Sequence, residues 1–128
     1  MAFYIQSVDN GLYLDVRGEN EAAGIDVIVY DFHGKKNQQW RYNNGMIFSK
    51  LNNLVIDVDS DNRIVMVEPS ETSKQKWYFD DDFTIRNEDG LVLDVQKGSK
   101  KAGTQVIAFK KHGEPNQKFR IVPINKVK

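Results

Sequence analysis

The sequence contains no cysteine. That absence removes disulfides, thiolate nucleophiles and cysteine-ligated zinc together. An excess of charge of either sign is missing as well: 18 Lys and Arg balance 18 Asp and Glu. A net charge of zero argues against nucleic acid or an anionic membrane as the main partner, because both reward a basic face. No apolar run approaches the ~20 residues that a membrane-crossing helix needs. The opening residues, Met1-Ala2-Phe3-Tyr4-Ile5-Gln6-Ser7, have neither a basic nor an apolar leader segment. No Asn-x-Ser/Thr sequon occurs anywhere in the chain. These absences set the expectation of a cytoplasmic protein, or one secreted without a signal peptide. What remains is 128 residues with 40% apolar and 28% charged side chains. That is an ordinary globular composition, long enough for one domain with a core.

Helical stripes are also lacking. No window holds apolar residues at i, i+3, i+4 and i+7 for three turns with caps at both ends. Apolar residues come instead in short alternating runs such as Leu12–Val16, Asp26–Tyr30, Leu54–Val58 and Gln105–Phe109. Each is rich in β-branched or aromatic residues, which predicts strands. Asn10-Gly11, Asn44-Gly45, Asn52-Asn53 and Asp89-Gly90 lie between them. Such pairs supply the positive φ angles of tight turns. The chain is all-β.

An internal repeat organises these strands. Shifted by 79 residues, Gly11–Arg41 lies over Gly90–Arg120 without a gap, and 14 of the 31 positions are identical. A weaker third copy lies between: Leu54-Val55-Ile56-Asp57-Val58 matches Leu91-Val92-Leu93-Asp94-Val95. The copies end on Gln38-Gln39-Trp40, Gln75-Lys76-Trp77 and Gln117-Lys118-Phe119. A propeller would need at least four such units, whereas a β-trefoil needs three. The expectation is a β-trefoil with pseudo-threefold symmetry, in which Trp40, Trp77 and Phe119 plug the core.

The pattern Gly24-x-x-Val27-x-x-Tyr30-x-x-x-Gly34-x-x-Asn37-Gln38-x-Trp40 recurs as Gly103-x-x-Val106-x-x-Phe109-x-x-x-Gly113-x-x-Asn116-Gln117-x-Phe119. It resembles the Gln-x-Trp repeat of ricin B-type lectins, over Phe3 to about Val122. Within that family it is most similar to the galactose-binding domains of earthworm-type lectins, through Ser49-Lys50-Leu51-Asn52 and His112-Gly113-x-Pro115-Asn116-Gln117-Lys118-Phe119. The resemblance implies a single ricin B-type domain over 1–128, with repeats at 1–42, 43–80 and 81–124. It implies a lectin, or agglutinin, for galactose-type sugars such as galactose, lactose and N-acetylgalactosamine.

A sugar site needs a ring to cover the C–H face of the pyranose, a carboxylate to accept from hydroxyls, and an amide beside it. In the first copy these residue types are Asp15, Tyr30, Asn37 and Gln38; in the third they are Asp94, Phe109, Asn116 and Gln117. The resemblance implies that Asp and Asn hold the hydroxyls while Gln braces the Asp. Tyr30 and Phe109 depart from the usual Trp of the family and offer smaller rings. An Asp that merely orders a turn, with Asn and Gln capping the backbone, is the plainer alternative. Recurrence of all four residue types in both copies favours binding. His33, His112 and Lys110 are further possible sugar contacts at the rims.

The middle copy keeps Asp57, Gln75 and Trp77, but Val67 stands at the ring position and Lys74 at the amide position. No sugar is expected there. Its Asp57-Val58-Asp59-Ser60-Asp61-Asn62, followed by Glu68, nearly fits a calcium loop. The strand-like runs on both sides favour a hairpin tip. No metal, cofactor or catalytic residue is expected: phosphate-loop and nucleophile motifs are missing, and Asp15 and Asp94 belong to different copies. The expected partners are galactose-containing glycans, with any membrane contact made through them, and the chain is a monomer or homodimer. The rival reading is a trefoil interaction module or protease inhibitor that binds no sugar. An accessory module of a larger enzyme or toxin is disfavoured, because the chain starts with Met and stops soon after the last copy.

Overall fold

The computed structural model describes residues 1–126; residues 127 and 128 of the expected domain lie outside the described residues. The first copy contributes β1 (Ala2–Ser7), β2 (Tyr13–Val16), β3 (Val27–Tyr30) and β4 (Trp40–Asn43). The middle copy contributes β5 (Met46–Ser49), β6 (Val55–Val58), β7 (Ile64–Val67) and β8 (Trp77–Phe79). The last contributes β9 (Ile85–Asn87), β10 (Val92–Val95), β11 (Val106–Phe109) and β12 (Phe119–Pro123). The only helical segments among the described residues are three-residue 3-10 turns. The fold is the expected β-trefoil.

Strands β1, β4, β5, β8, β9 and β12 form the barrel. Antiparallel pairing joins β12 to β1, β1 to β4, β4 to β5 and β8 to β9. At the other two seams, Trp77 N–H donates to the Gly45 carbonyl and Phe119 N–H to the Phe83 carbonyl, both at 2.8 Å. The register repeats with the copies, pairing Trp40 with Ser49, Trp77 with Asn87 and Phe119 with Ser7. The sheet therefore closes on itself, which leaves few free edges for aggregation.

The hairpins β2–β3, β6–β7 and β10–β11 lean on one another in a ring. Isolated bridges run from Asp26 to Val65, from Arg63 to Ile107 and from Gln105 to Ile28. Each hairpin thus gives its turn end to the next copy and receives from the one before. Asp26 reinforces the ring by accepting from Gln105 Nε2 at 2.7 Å.

One buried cluster draws on all three copies in matched layers. Ile5, Ile47 and Ile85 form one triplet, Leu14, Ile56 and Leu93 another, and Trp40, Trp77 and Phe119 a third. Every member is at most 2% exposed. Burying side chains of this size contributes about 1.5–3 kcal/mol each. A buried indole also needs a partner for its N–H. Trp40 Nε1 finds the Leu14 carbonyl at 3.4 Å and Trp77 Nε1 the Ile56 carbonyl at 3.2 Å. Phe119 fills the third place with no donor to satisfy.

Candidate functional site

Each candidate site hangs from a plug. Trp40 anchors the start of β4, and the 3-10 turn Lys36–Gln38 just before it sets Asn37 and Gln38 facing β2. Asp15 sits on β2 opposite Ile28 and is 2% exposed. Gln38 Nε2 donates to Asp15 Oδ2 at 2.9 Å and to the Asp31 carbonyl at 2.8 Å. Its Oε1 accepts from the backbone N–H of His33 and of Gly34, both at 3.1 Å. Asn37 Nδ2 donates to Asp15 Oδ1 at 3.1 Å and to the Val16 carbonyl at 3.0 Å. With both amide hydrogens in use, Asn37 Oδ1 is left buried and unpaired. Flipping this amide would set oxygen against the Asp15 carboxylate, so the chemistry fixes its orientation.

The third copy repeats this geometry on the turn Pro115–Gln117. Gln117 Nε2 reaches Asp94 Oδ2 at 2.8 Å and the Lys110 carbonyl at 2.9 Å. Asn116 Nδ2 reaches Asp94 Oδ1 at 3.2 Å and the Val95 carbonyl at 3.0 Å. An Asp and an adjacent Asn-Gln pair, 22 and 23 positions further on, therefore meet twice, around a buried carboxylate each time.

The histidines complete the support. His33 Nδ1 accepts from Lys35 N–H at 3.0 Å, and His112 Nδ1 accepts from Glu114 N–H at 3.1 Å. A backbone N–H can only donate, so Nδ1 is unprotonated and the ring proton lies on Nε2. That Nε2 faces Asp15 Oδ2 at 3.3 Å in the first copy and Asp94 Oδ2 at 3.6 Å in the third. Burial pushes both carboxyls above the usual aspartate value; the Gln bonds, the facing His and the Asn bonds pull the other way.

Above each carboxylate opens a cavity, of about 430 Å³ in the first copy and about 320 Å³ in the third. Tyr30 and Phe109 stand at their edges, 43% and 46% exposed. These half-exposed rings add little to the core, and their faces are free for a ligand. Lys110 does not line the third-copy cavity; it serves the site through its backbone carbonyl, as Asp31 does in the first copy.

One wall went unnoticed in the sequence. After β2 and β10 the chain turns through two successive left-handed residues, Gly18-Glu19 in the first copy and Lys97-Gly98 in the third. Glu19 lines the first cavity and Lys97 the third-copy one. The visible signal was a glycine in each corner, displaced by one position between copies. Gly103, from the third copy, rims the first cavity.

The middle copy keeps only the brace. Gln75 Nε2 donates to Asp57 Oδ2 and to the Glu68 carbonyl, each at 3.0 Å. Val67 pairs with Val55 where Tyr30 pairs with Tyr13, so it does occupy the ring position. All five missing residues fall in the β6–β7 turn, which removes the left-handed corner and the cavity wall. The acidic tip of that turn is internally satisfied. Asp59 accepts from the N–H of Asp61 and of Arg63 and pairs with Arg63 Nε, all at 2.9 Å. Strands flank it on both sides, as a hairpin tip requires.

The chain matches the family model described as ricin-type β-trefoil lectin domain over residues 1–119. The crystal structure of the earthworm R-type lectin C-half in complex with GalNAc is 38% identical, with a TM-score of 0.87, over 94% of this chain and 97% of that one. A mutant of the earthworm lectin C-terminal domain in complex with 6′-sialyllactose is 37% identical, with a TM-score of 0.84 and the same two coverages, 94% and 97%. A designed threefold-symmetric protein, ThreeFoil, is 25% identical, with a TM-score of 0.83, over 94% of this chain and 97% of its own. Among curated proteins, none matches the chain significantly. With a family model spanning most of its length and an R-type lectin relative above one third identity, the chain belongs to the ricin-type β-trefoil lectin domain family.

Proposed function

We propose that the chain binds galactose-type sugars, through Asp15, Tyr30, Asn37 and Gln38 in the first copy and Asp94, Phe109, Asn116 and Gln117 in the third. The observation that carries this reading is the floor of the first cavity. It offers a carboxylate and a buried, unpaired Asn37 Oδ1, both acceptors, beneath an exposed ring. A ligand suited to it must donate hydrogen bonds and present an apolar face, which a pyranose with adjacent hydroxyls does. The axial 4-hydroxyl of galactose leaves one such face clear. The GalNAc held by the earthworm relative supports the same sugar class here.

Gln38 and Gln117 act by positioning the carboxylate, and His33 and His112 brace it from the rim through Nε2. One ring and a few hydrogen bonds give weak sites, on the order of millimolar to tens of micromolar. Two such sites in different copies cross-link glycans, and avidity compensates for weak single contacts.

The reading is binding without turnover. Glycoside hydrolysis needs a pair of carboxyls flanking the bond. Asp94 is the sole carboxylate lining the third-copy cavity. In the first cavity Asp15 is engaged by Asn37 and Gln38, while Glu19 meets Lys35 at 3.6 Å. Isothermal titration with lactose tests the proposal: two weak sites are expected, and none would sink it. Release of product from a chromogenic galactoside would overturn the non-catalytic part.

A further inference from the structure

The left-handed corners of the two cavities bear side chains of opposite charge, Glu19 in the first copy and Lys97 in the third. In the first copy the left-handed corner bears Glu19, whose carboxylate meets Lys35 Nζ at 3.6 Å. The other cation on that wall, Arg17, is held by Asp26 at 2.8 Å. The first cavity therefore cancels its own charges. In the third copy the corner bears Lys97, and Glu114 replaces Lys35. Glu114 does not line the cavity, and Lys97 makes no ion pair among the described residues. Lys97 also keeps its side chain at φ 56°, where the first copy has Gly18 at φ 66°. Left-handed backbone disfavours a residue with a Cβ, so this wall holds an ammonium at a position better suited to glycine.

We infer that the third-copy site prefers galactosides carrying an anionic substituent, a sulfate ester or a carboxylate, which Lys97 receives at the cavity wall. This rests on the sugar reading above and names the ligand class of one of its two sites. Asp94 does not oppose it strongly. Its carboxylate lies at the floor, 2% exposed, and is already engaged by Asn116 and Gln117. An anionic group pointing along the wall meets Lys97 with its charge uncompensated. The first site, lacking such a group, takes neutral sugars.

The test titrates lactose, lactose sulfated on galactose, and sialyllactose into protein whose first site is disabled by Asp15→Ala or, should that variant fold poorly, weakened by Tyr30→Ala, with binding at the third site read from its own NMR signals. At low salt at least one anionic ligand binds about two- to fivefold tighter than lactose, the range expected of an exposed ion pair, and salt erodes the advantage. Tighter binding of the sulfated sugar alone identifies an ester as the source; tighter binding of sialyllactose alone identifies a carboxylate. Lys97→Gly, which copies the first-copy corner, abolishes the preference, so that anionic ligands bind no tighter than lactose to the same variant, while Lys97→Arg retains it. Asp94→Ala protein, with only the first site, shows no preference. Anionic ligands that never exceed lactose, or a preference that survives Lys97→Gly, overturn the inference and leave sugar binding standing. Failure of the unmodified protein to bind lactose at all overturns the underlying reading instead.

Discussion

Gln75 Nε2 lies 3.0 Å from Asp57 Oδ2, in the one copy that has neither ring, amide nor cavity wall. The same bond joins Gln38 to Asp15 and Gln117 to Asp94. Its presence where the ring and the Asn are missing makes the Asp–Gln pair a device of the fold in all three copies. Gln75 Oε1 also accepts from Ser70 N–H at 2.7 Å and Glu71 N–H at 3.1 Å, which ties the loop after β7 to the barrel.

Replacing Gln75 by Ala therefore separates stability from binding. The change strands several polar groups, each costing about 1–3 kcal/mol when buried and unpaired. Urea denaturation is expected to show a lower midpoint, with lactose titration unaltered. An unchanged midpoint would contradict the bracing role.

The double change Asp15→Ala plus Asp94→Ala removes both acceptors. Loss of lactose binding is expected, with a cooperative melt and an all-β circular dichroism spectrum retained. The stability cost is softened because burial of each charged carboxylate is itself unfavourable, as its raised pKa reports. Retained binding would place the sugar elsewhere.

The rings behave differently. Tyr30→Ala and Phe109→Ala remove side chains that are nearly half exposed, so each should leave the melting temperature almost unchanged. Each should weaken its own site by about 0.5–1.5 kcal/mol, the worth of an aromatic face. Site-resolved NMR titration distinguishes the two losses.

Acid should release the sugar before it unfolds the protein through these groups. Asp15 and Asp94 have carboxyls raised above 3.8. With folded pKa above unfolded, each takes up its proton in the native state first. Their stabilising contribution is thus full below 3.8 and is lost as pH rises through the raised value. Binding has the opposite sign, because it needs the ionised carboxylate. Lactose affinity is expected to fall on acidification at a pH above 3.8. Affinity constant down to that pH would be inconsistent with carboxylate recognition. Asp26 contrasts with both: its bond to Arg17 holds it low, so its stabilisation persists above 3.8 and is lost below it.

Trp40 tests the plug. Trp40→Phe copies what Phe119 already does, but leaves a void and an unmatched Leu14 carbonyl. A loss of about 1–3 kcal/mol is expected, from the removed volume and the missing bond. Calorimetry should show it without change in sugar specificity.

Much of this was legible in the residues. Strands showed as alternation, the trefoil as a threefold register, and the candidate sites as Asp15, Tyr30, Asn37 and Gln38 recurring with one spacing. The part that escaped depends on backbone shape and on contacts between copies. Gly18-Glu19 and Lys97-Gly98 share a left-handed corner, but the shift of glycine by one place hides the equivalence. His33 looked like a rim contact, whereas its Nδ1 bond to Lys35 N–H turns Nε2 toward Asp15. No local pattern signals that Gly103 reaches the first cavity, because that approach depends on how the hairpins interlock.

The interlocking has an evolutionary consequence. Bridges from Asp26 to Val65, Arg63 to Ile107 and Gln105 to Ile28 run in one direction around the axis. No copy therefore completes its ring contacts by itself, and each depends on both of the others. A mutation in one copy's turn is felt at its neighbour's rim, so divergence of the copies is constrained jointly. The middle copy lacks the corner yet keeps its link to the third, where Ala108 N–H donates to the Asn62 carbonyl at 2.8 Å. Without that link the ring of hairpins would open between the middle and third copies.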